Sequence, residues 1–182
     1  MVTKDSSANL EKLISQLSSE ADVADAFERL VHLGDSAIPA LVKALRNAEQ
    51  DREVLYSALS SIETDAAYAV LTEQLFKSTD KQEQTTLALL LAQDGRGEIS
   101  SWLIKQLPAH WQEGKWWQQA GHAQSEYIAT MLASLISLDV DPAYLDWYEK
   151  ILDGEDEKKQ DIAIFIGELL GEVDIIEYDE DI

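Results

Sequence analysis

The sequence predicts an all-α fold, an α-solenoid of about ten short helices stacked as antiparallel pairs. Three observations carry that prediction. An apolar pattern returns at intervals of about 30 residues, so that Leu71 and Leu75 stand thirty residues after Leu41 and Leu45. Within each interval the apolar residues recur at three- and four-residue spacing, which collects them on one face of a helix. Turns at Gly34-Asp35 and Gly95-Arg96-Gly97 punctuate the pattern. Glycine there ends one helix, and an acidic or hydroxyl side chain caps the next. A repeat of this kind buries its apolar face only against its neighbours, so residues 1–182 read as one domain.

The elements follow in order. Residues 8–18 place Leu10, Leu13, Ile14 and Leu17 on one helical face behind Ser6 or Ser7 as cap. This helix shields the open end of the stack. Three repeats then fill 20–107. In the first, a helix from about Asp22 to Leu33 carries Val23, Ala26, Phe27, Leu30, Val31 and Leu33. Gly34 ends it and Asp35 or Ser36 caps its partner. Pro39 sits in the first turn of that partner, where its missing N–H costs little. Ile38, Leu41, Val42 and Leu45 form the stripe. The second repeat, Asp51 to Phe76, has Val54, Leu55, Ala58, Leu59 and Ile62 on its first helix and Asp65 at its turn. The third, Asp80 to Leu107, has Leu87, Ala88, Leu90 and Leu91, then Ile99, Trp102, Leu103 and Leu107.

The pattern breaks at 108–122, PAHWQEGKWWQQAGH, a Trp-rich loop well above the usual connection of about 4–6 residues. Divergent helices occupy 123–171. The first, about 123–138, carries Tyr127, Ile128, Met131, Leu132, Leu135 and Ile136. The next, 141–152, opens with Asp141 as cap and Pro142 as first residue. Leu145, Tyr148 and Leu152 share one of its faces, with Tyr144 and Ile151 beside them. A charged turn at 153–159 leads to a last helix over 158–170 with Ile162, Ile164, Phe165, Ile166, Leu169 and Leu170, ended by Gly171. The acidic tail, 172–182, reads as either disordered or docked in extended form.

Three features resemble HEAT-like repeats, especially the short bacterial kind first noted in phycobilisome lyase proteins. They are the small-apolar first helix, the Leu33-Gly34-Asp35 turn, and the Ala37-Ile38-Pro39-Ala40-Leu41 opening of the second helix. The resemblance covers about 20–107 and implies a right-handed stack whose second helices line a concave face. First helices carry a net −6 and second helices +1. On the implied concave face, Lys43, Arg46, Lys77 and Lys105 then form a mildly basic ridge. The family's enzymatic branch, the di-iron deoxyhypusine hydroxylases, binds metal through His-Glu pairs. Here His32, His110 and His122 precede Leu33, Trp111 and Ala123, so that chemistry is not expected.

Composition narrows the function. There is no cysteine, which excludes disulfides, thiolate metal sites and a cysteine nucleophile and is compatible with the cytoplasm, where the chain is expected. No apolar run approaches the length of a membrane span, and the opening MVTKDSSANLEKL has no apolar signal region. Thirty-five acids against 14 bases give −21, a field that repels nucleic-acid phosphates and anionic lipid. Residues 139–182 hold 16 acids and 3 bases, more than half of that net charge.

No catalytic motif stands out, and no metal or cofactor is expected. His122 and Glu126, four apart, read as a surface pair, and the acids at 153–157 lack the spacing of a calcium loop. Trp102, Trp111, Trp116 and Trp117 lie within sixteen residues. They read as packing at a joint, as a partner interface, or as both, since tryptophan is enriched at interface hot spots. The expected function is therefore a non-enzymatic adaptor or assembly chaperone that grips another protein with its concave face and Trp-rich loop. An acidic inhibitor or immunity protein that neutralises a basic enzyme such as a nuclease is the alternative. A bilin-lyase-like chaperone follows only from the resemblance.

Overall fold

In a computed structural model of the chain, residues 4–17, 22–47, 52–112, 116, 121–154 and 156–171 are described. Among them the fold is all-α, with ten α-helices and no strand. The chain divides into two compact units, Met1–Thr79 and Asp80–Ile182. The boundary falls between the second and third predicted repeats.

The first unit holds α1 (Lys4–Gln16), α2 (Val23–Leu33), α3 (Ile38–Asn47), α4 (Arg52–Ser60) and α5 (Asp65–Lys77). Neighbours pack in series: α1, α3 and α5 touch one after another, as do α2 and α4. The predicted stripes build the interior. Leu13, Leu30, Leu41, Leu45, Leu59, Leu71 and Leu75 are fully or almost fully buried. Leu33 departs from expectation and is exposed at the end of α2, where Gly34 turns the chain away. Helix α1 begins four residues earlier than its apolar pattern. Ser6 and Ser7, expected as caps, lie inside its first turns.

The turn chemistry also differs. Gly34 adopts φ 56° and ψ −137°, a conformation that side-chain-bearing residues avoid. Asp35 and Ser36, expected as caps, instead sit in a 3-10 turn, Gly34–Ser36. Ser36 Oγ donates to the Leu33 carbonyl, and the Asp35 carboxylate accepts a 2.6 Å bond from Thr64 Oγ1. Thr64, not Asp65, caps α5: its side chain accepts from the Ala67 N–H, while Asp65 is already helical.

The second unit holds α6 (Lys81–Gln93), α7 (Ser100–Gln106), α8 (His122–Ser137), α9 (Pro142–Leu152) and α10 (Glu157–Leu170). Helix α8 is its hub and packs against the other four. Every residue from Tyr127 to Leu135 is buried, including Ala129, Thr130, Ala133 and Ser134, so this helix is enclosed on all sides rather than striped. Asp80 caps α6, Asp141 caps α9 with Pro142 as its first residue, and Gly171 closes α10 in the left-handed conformation, φ 71°.

Helix α9 turns a different face inward from the one its leucines suggested. Tyr144, Trp147, Tyr148 and Ile151 are buried, while Leu145 and Leu152 are exposed. Both faces satisfy helical spacing. The aromatic one removes more apolar surface from water. In α10, Ala163 and Ile166 are fully buried and Ile164 is exposed.

Candidate binding cleft

The second unit carries a cleft of about 670 Å³ between the first turns of α6, the N-terminal half of α8, and Phe165 of α10. Gly121, the N-cap of α8, stands at its edge and offers no side-chain cap. Tyr127, Thr130 and half-buried Phe165 make the floor, and Lys81, Gln82, His122, Gln124 and Glu126 the rim.

Tyr127 fixes the geometry. Its hydroxyl lies 2.9 Å from Gln84 Oε1 and 3.1 Å from Gln106 Oε1, tying α8 to both α6 and α7. Burial raises the pKa of this phenol. The Lys81 ammonium stands 5.1 Å from the Tyr127 ring centre and donates to Gln124 Oε1. A cation over an aromatic face is worth about 0.5–1 kcal/mol at an exposed site. Glu126 faces His122 Nε2 at 3.5 Å, the surface pair expected from their spacing, with the histidine side chain almost wholly exposed. Thr85 and Thr130 donate their hydroxyl protons to the carbonyls of Lys81 and Glu126, one turn back in their own helices. The cleft thus combines an apolar floor with a rim of one ammonium, one carboxylate, an imidazole and amides. That lining suits recognition of a mixed polar and apolar segment.

The residues expected to bind a partner are placed as follows. Lys43 is exposed but pairs with Glu11 of α1 at 2.8 Å. That hydrogen bond, and the charge behind it, hold the Glu11 carboxyl below its ordinary pKa. Lys77 pairs in the same way with Glu73, whose carboxyl is lowered by that hydrogen bond, by the Lys77 charge and by the charge of Arg46. Of the residues expected to form a basic ridge, Lys43 and Lys77 are thus each paired with an acid. Lys105 is exposed and Trp102 half-buried, both on α7 of the second unit.

Trp111 and Trp116 join an aromatic cluster. Trp111 stacks on Tyr144 at 5.0 Å and meets Trp147 edge-on at 5.4 Å. Trp116 lies 6.3 Å from Trp147 in a stacked arrangement, and its Nε1 donates to the Trp111 carbonyl. Trp147 Nε1 reaches the Gln112 carbonyl at 3.3 Å. The cluster pins Trp111, Gln112 and Trp116 to α9, and burial leaves Trp116 almost no surface for a partner. Trp116 itself is helical rather than looped. Trp117 and the tail, 172–182, lie outside the described residues.

Nothing in the sequence marks Lys81, Gln124 or Phe165 as cleft residues, and the fifth tryptophan, Trp147, lies apart from the other four. The first three are ordinary residues scattered over 85 positions, and only the fold gathers them. Trp147 carried a signal: with Tyr144, Tyr148 and Ile151 it completes an aromatic face at spacings of three, four and seven.

Among the described residues, no group of three or more histidine, aspartate or glutamate side chains converges as for a metal, and no helix is long and apolar enough to cross a membrane. Comparison with known protein families, with curated proteins and with solved structures finds no match.

Proposed function

We propose that this chain is a non-catalytic protein-binding adaptor of the HEAT-like solenoid kind. The serial packing of α1, α3 and α5 beside α2 and α4 supports the solenoid reading, because stacked helix pairs bury their stripes in that way. The observation that carries the binding role is the cleft between α6, α8 and Phe165. It is walled by helices and lined for mixed contacts, and Lys81, Gln82 and His122 stand exposed on its rim. A partner segment that places an apolar side chain over Tyr127 and Phe165 and a carboxylate near Lys81 fits this lining.

Photo-crosslinking tests the reading. A benzoylphenylalanine in place of exposed Gln82 should capture a partner protein in native lysate, at high as well as low salt. The same label in place of exposed Asp25 on α2 should not. Failure of the cleft label to capture any protein would overturn the reading.

A second reading, an acidic inhibitor of a basic enzyme, is favoured by the 16 acids against 3 bases in residues 139–182. Its partner would be captured only at low salt, because contacts between exposed charges are screened.

A further inference from the structure

Helix α9 carries two exposed leucines on its outer face. Leu145 and Leu152 are 39% and 40% exposed and stand seven residues apart, about 10 Å along the helix axis and on the same side. Glu149 lies between them, and Asp146 and Asp153 follow each leucine, all three exposed. Scattered single leucines on a surface are ordinary. Here two stand in register, framed by three carboxylates. Helix α10 repeats the pattern, with Ile164 42% exposed between Asp161 and Glu168.

We infer that the outer face of α9 is a docking surface for a basic amphipathic helix of a partner protein. Charge complementarity selects the occupant. Residues 139–182 carry a net −13, so a second copy of this chain, an anionic lipid surface or a nucleic acid would each bring like charge to the stripe. A helix with Lys or Arg flanking apolar side chains at i and i+7 meets both leucines and places cations against Asp146, Glu149 and Asp153. This is the helix-on-helix mode of recognition, with apolar anchors for affinity and charges for orientation and on-rate. The inference rests on the reading of the chain as a protein-binding adaptor, but it concerns a surface separate from the α6–α8 cleft.

The full chain is titrated into a fluorescein-labelled Leu/Lys peptide of amphipathic helical spacing, and into a scrambled peptide of identical composition, with anisotropy as readout. The expected result is tighter binding of the amphipathic peptide than of its scramble. L145S/L152S should weaken it about tenfold, as loss of central apolar anchors does. L145M/L152M should retain binding, because methionine keeps the apolar contact. D146N/E149Q should weaken binding mainly at low salt. Equal affinity for the two peptides, unchanged affinity of L145S/L152S, or no binding would overturn the inference. Loss of binding in Glu126→Lys but not in L145S/L152S would move the peptide to the cleft, overturning this surface while leaving the adaptor reading in place.

Discussion

At the scale of single residues, hydroxyl side chains do different work according to what they reach. Thr64 accepts from the Ala67 N–H at the start of α5 and donates to Asp35 across the unit. Thr64→Ala should therefore cost about 1–2 kcal/mol in urea unfolding, a cap plus one hydrogen bond to a charged acceptor. Thr64→Ser should recover most of that loss. Ser134 is the opposite case. Its Oγ is fully buried in α8 with no hydrogen-bond partner among the described residues, whereas Thr130 Oγ1, one turn earlier, donates to the Glu126 carbonyl. Ser134→Ala removes an unsatisfied group and should leave stability unchanged or raise it by up to about 1 kcal/mol. A loss greater than that would show that the hydroxyl is satisfied in solution. Tyr127 adds a pH effect. Its raised pKa means that the fold favours the protonated phenol, so the contribution is complete below the ordinary tyrosine value of about 10 and disappears as pH rises through the folded pKa. Tyr144, raised by burial and then by the Asp141 charge, acts in the same sense. The alkaline fall in melting temperature should be shallower in Tyr127→Phe, whatever that variant loses at neutral pH.

At the scale of elements, α9 shows what helical periodicity decides and what it leaves open. Spacing alone places a helix over 141–152 and its cap at Asp141, and the structure agrees. Spacing cannot choose between a face of Leu145, Tyr148 and Leu152 and a face of Tyr144, Trp147, Tyr148 and Ile151, because both repeat at three and four. The choice depends on what lies opposite, namely Trp111 and Trp116, more than 25 residues upstream. Trp147→Ala should cost about 3–5 kcal/mol and abolish the near-ultraviolet circular dichroism of the cluster. Leu145→Ser should change stability by no more than about 0.5 kcal/mol. If the two effects were reversed, the inward face would be the leucine one. The stripes of α3 and α5 were legible throughout, since Leu41, Leu45, Leu71 and Leu75 have no competing face of comparable size. The start of α1 was not. Its first turn carries no apolar residue, so the pattern begins only after the helix does.

At the scale of the whole molecule, charge dominates. A net −21 opposes compaction by self-repulsion, and exposed ion pairs such as Glu11–Lys43 and Glu73–Lys77 offset little of it. Moderate salt should raise the melting temperature by screening like charges over about 8–10 Å. A fall with salt would mean that attractive pairs outweigh the repulsion. The cleft belongs to this scale as well, and for that reason it was hidden in the sequence. Lys81, Tyr127 and Phe165 come from three separated helices and carry no motif. Only the packing of α6 and α10 on α8 makes them neighbours.

The enclosure of α8 has a consequence for biosynthesis. A ribosome releases α8 before α9 and α10, so for a time the most apolar helix of the second unit has only α6 and α7 to cover it. Its sides toward α9 and α10 stay wet until the chain is complete through about Leu170. A nascent chain halted in the charged turn at 153–156 would thus be a client for chaperones, while one halted at Thr79 would already have its first five helices in hand.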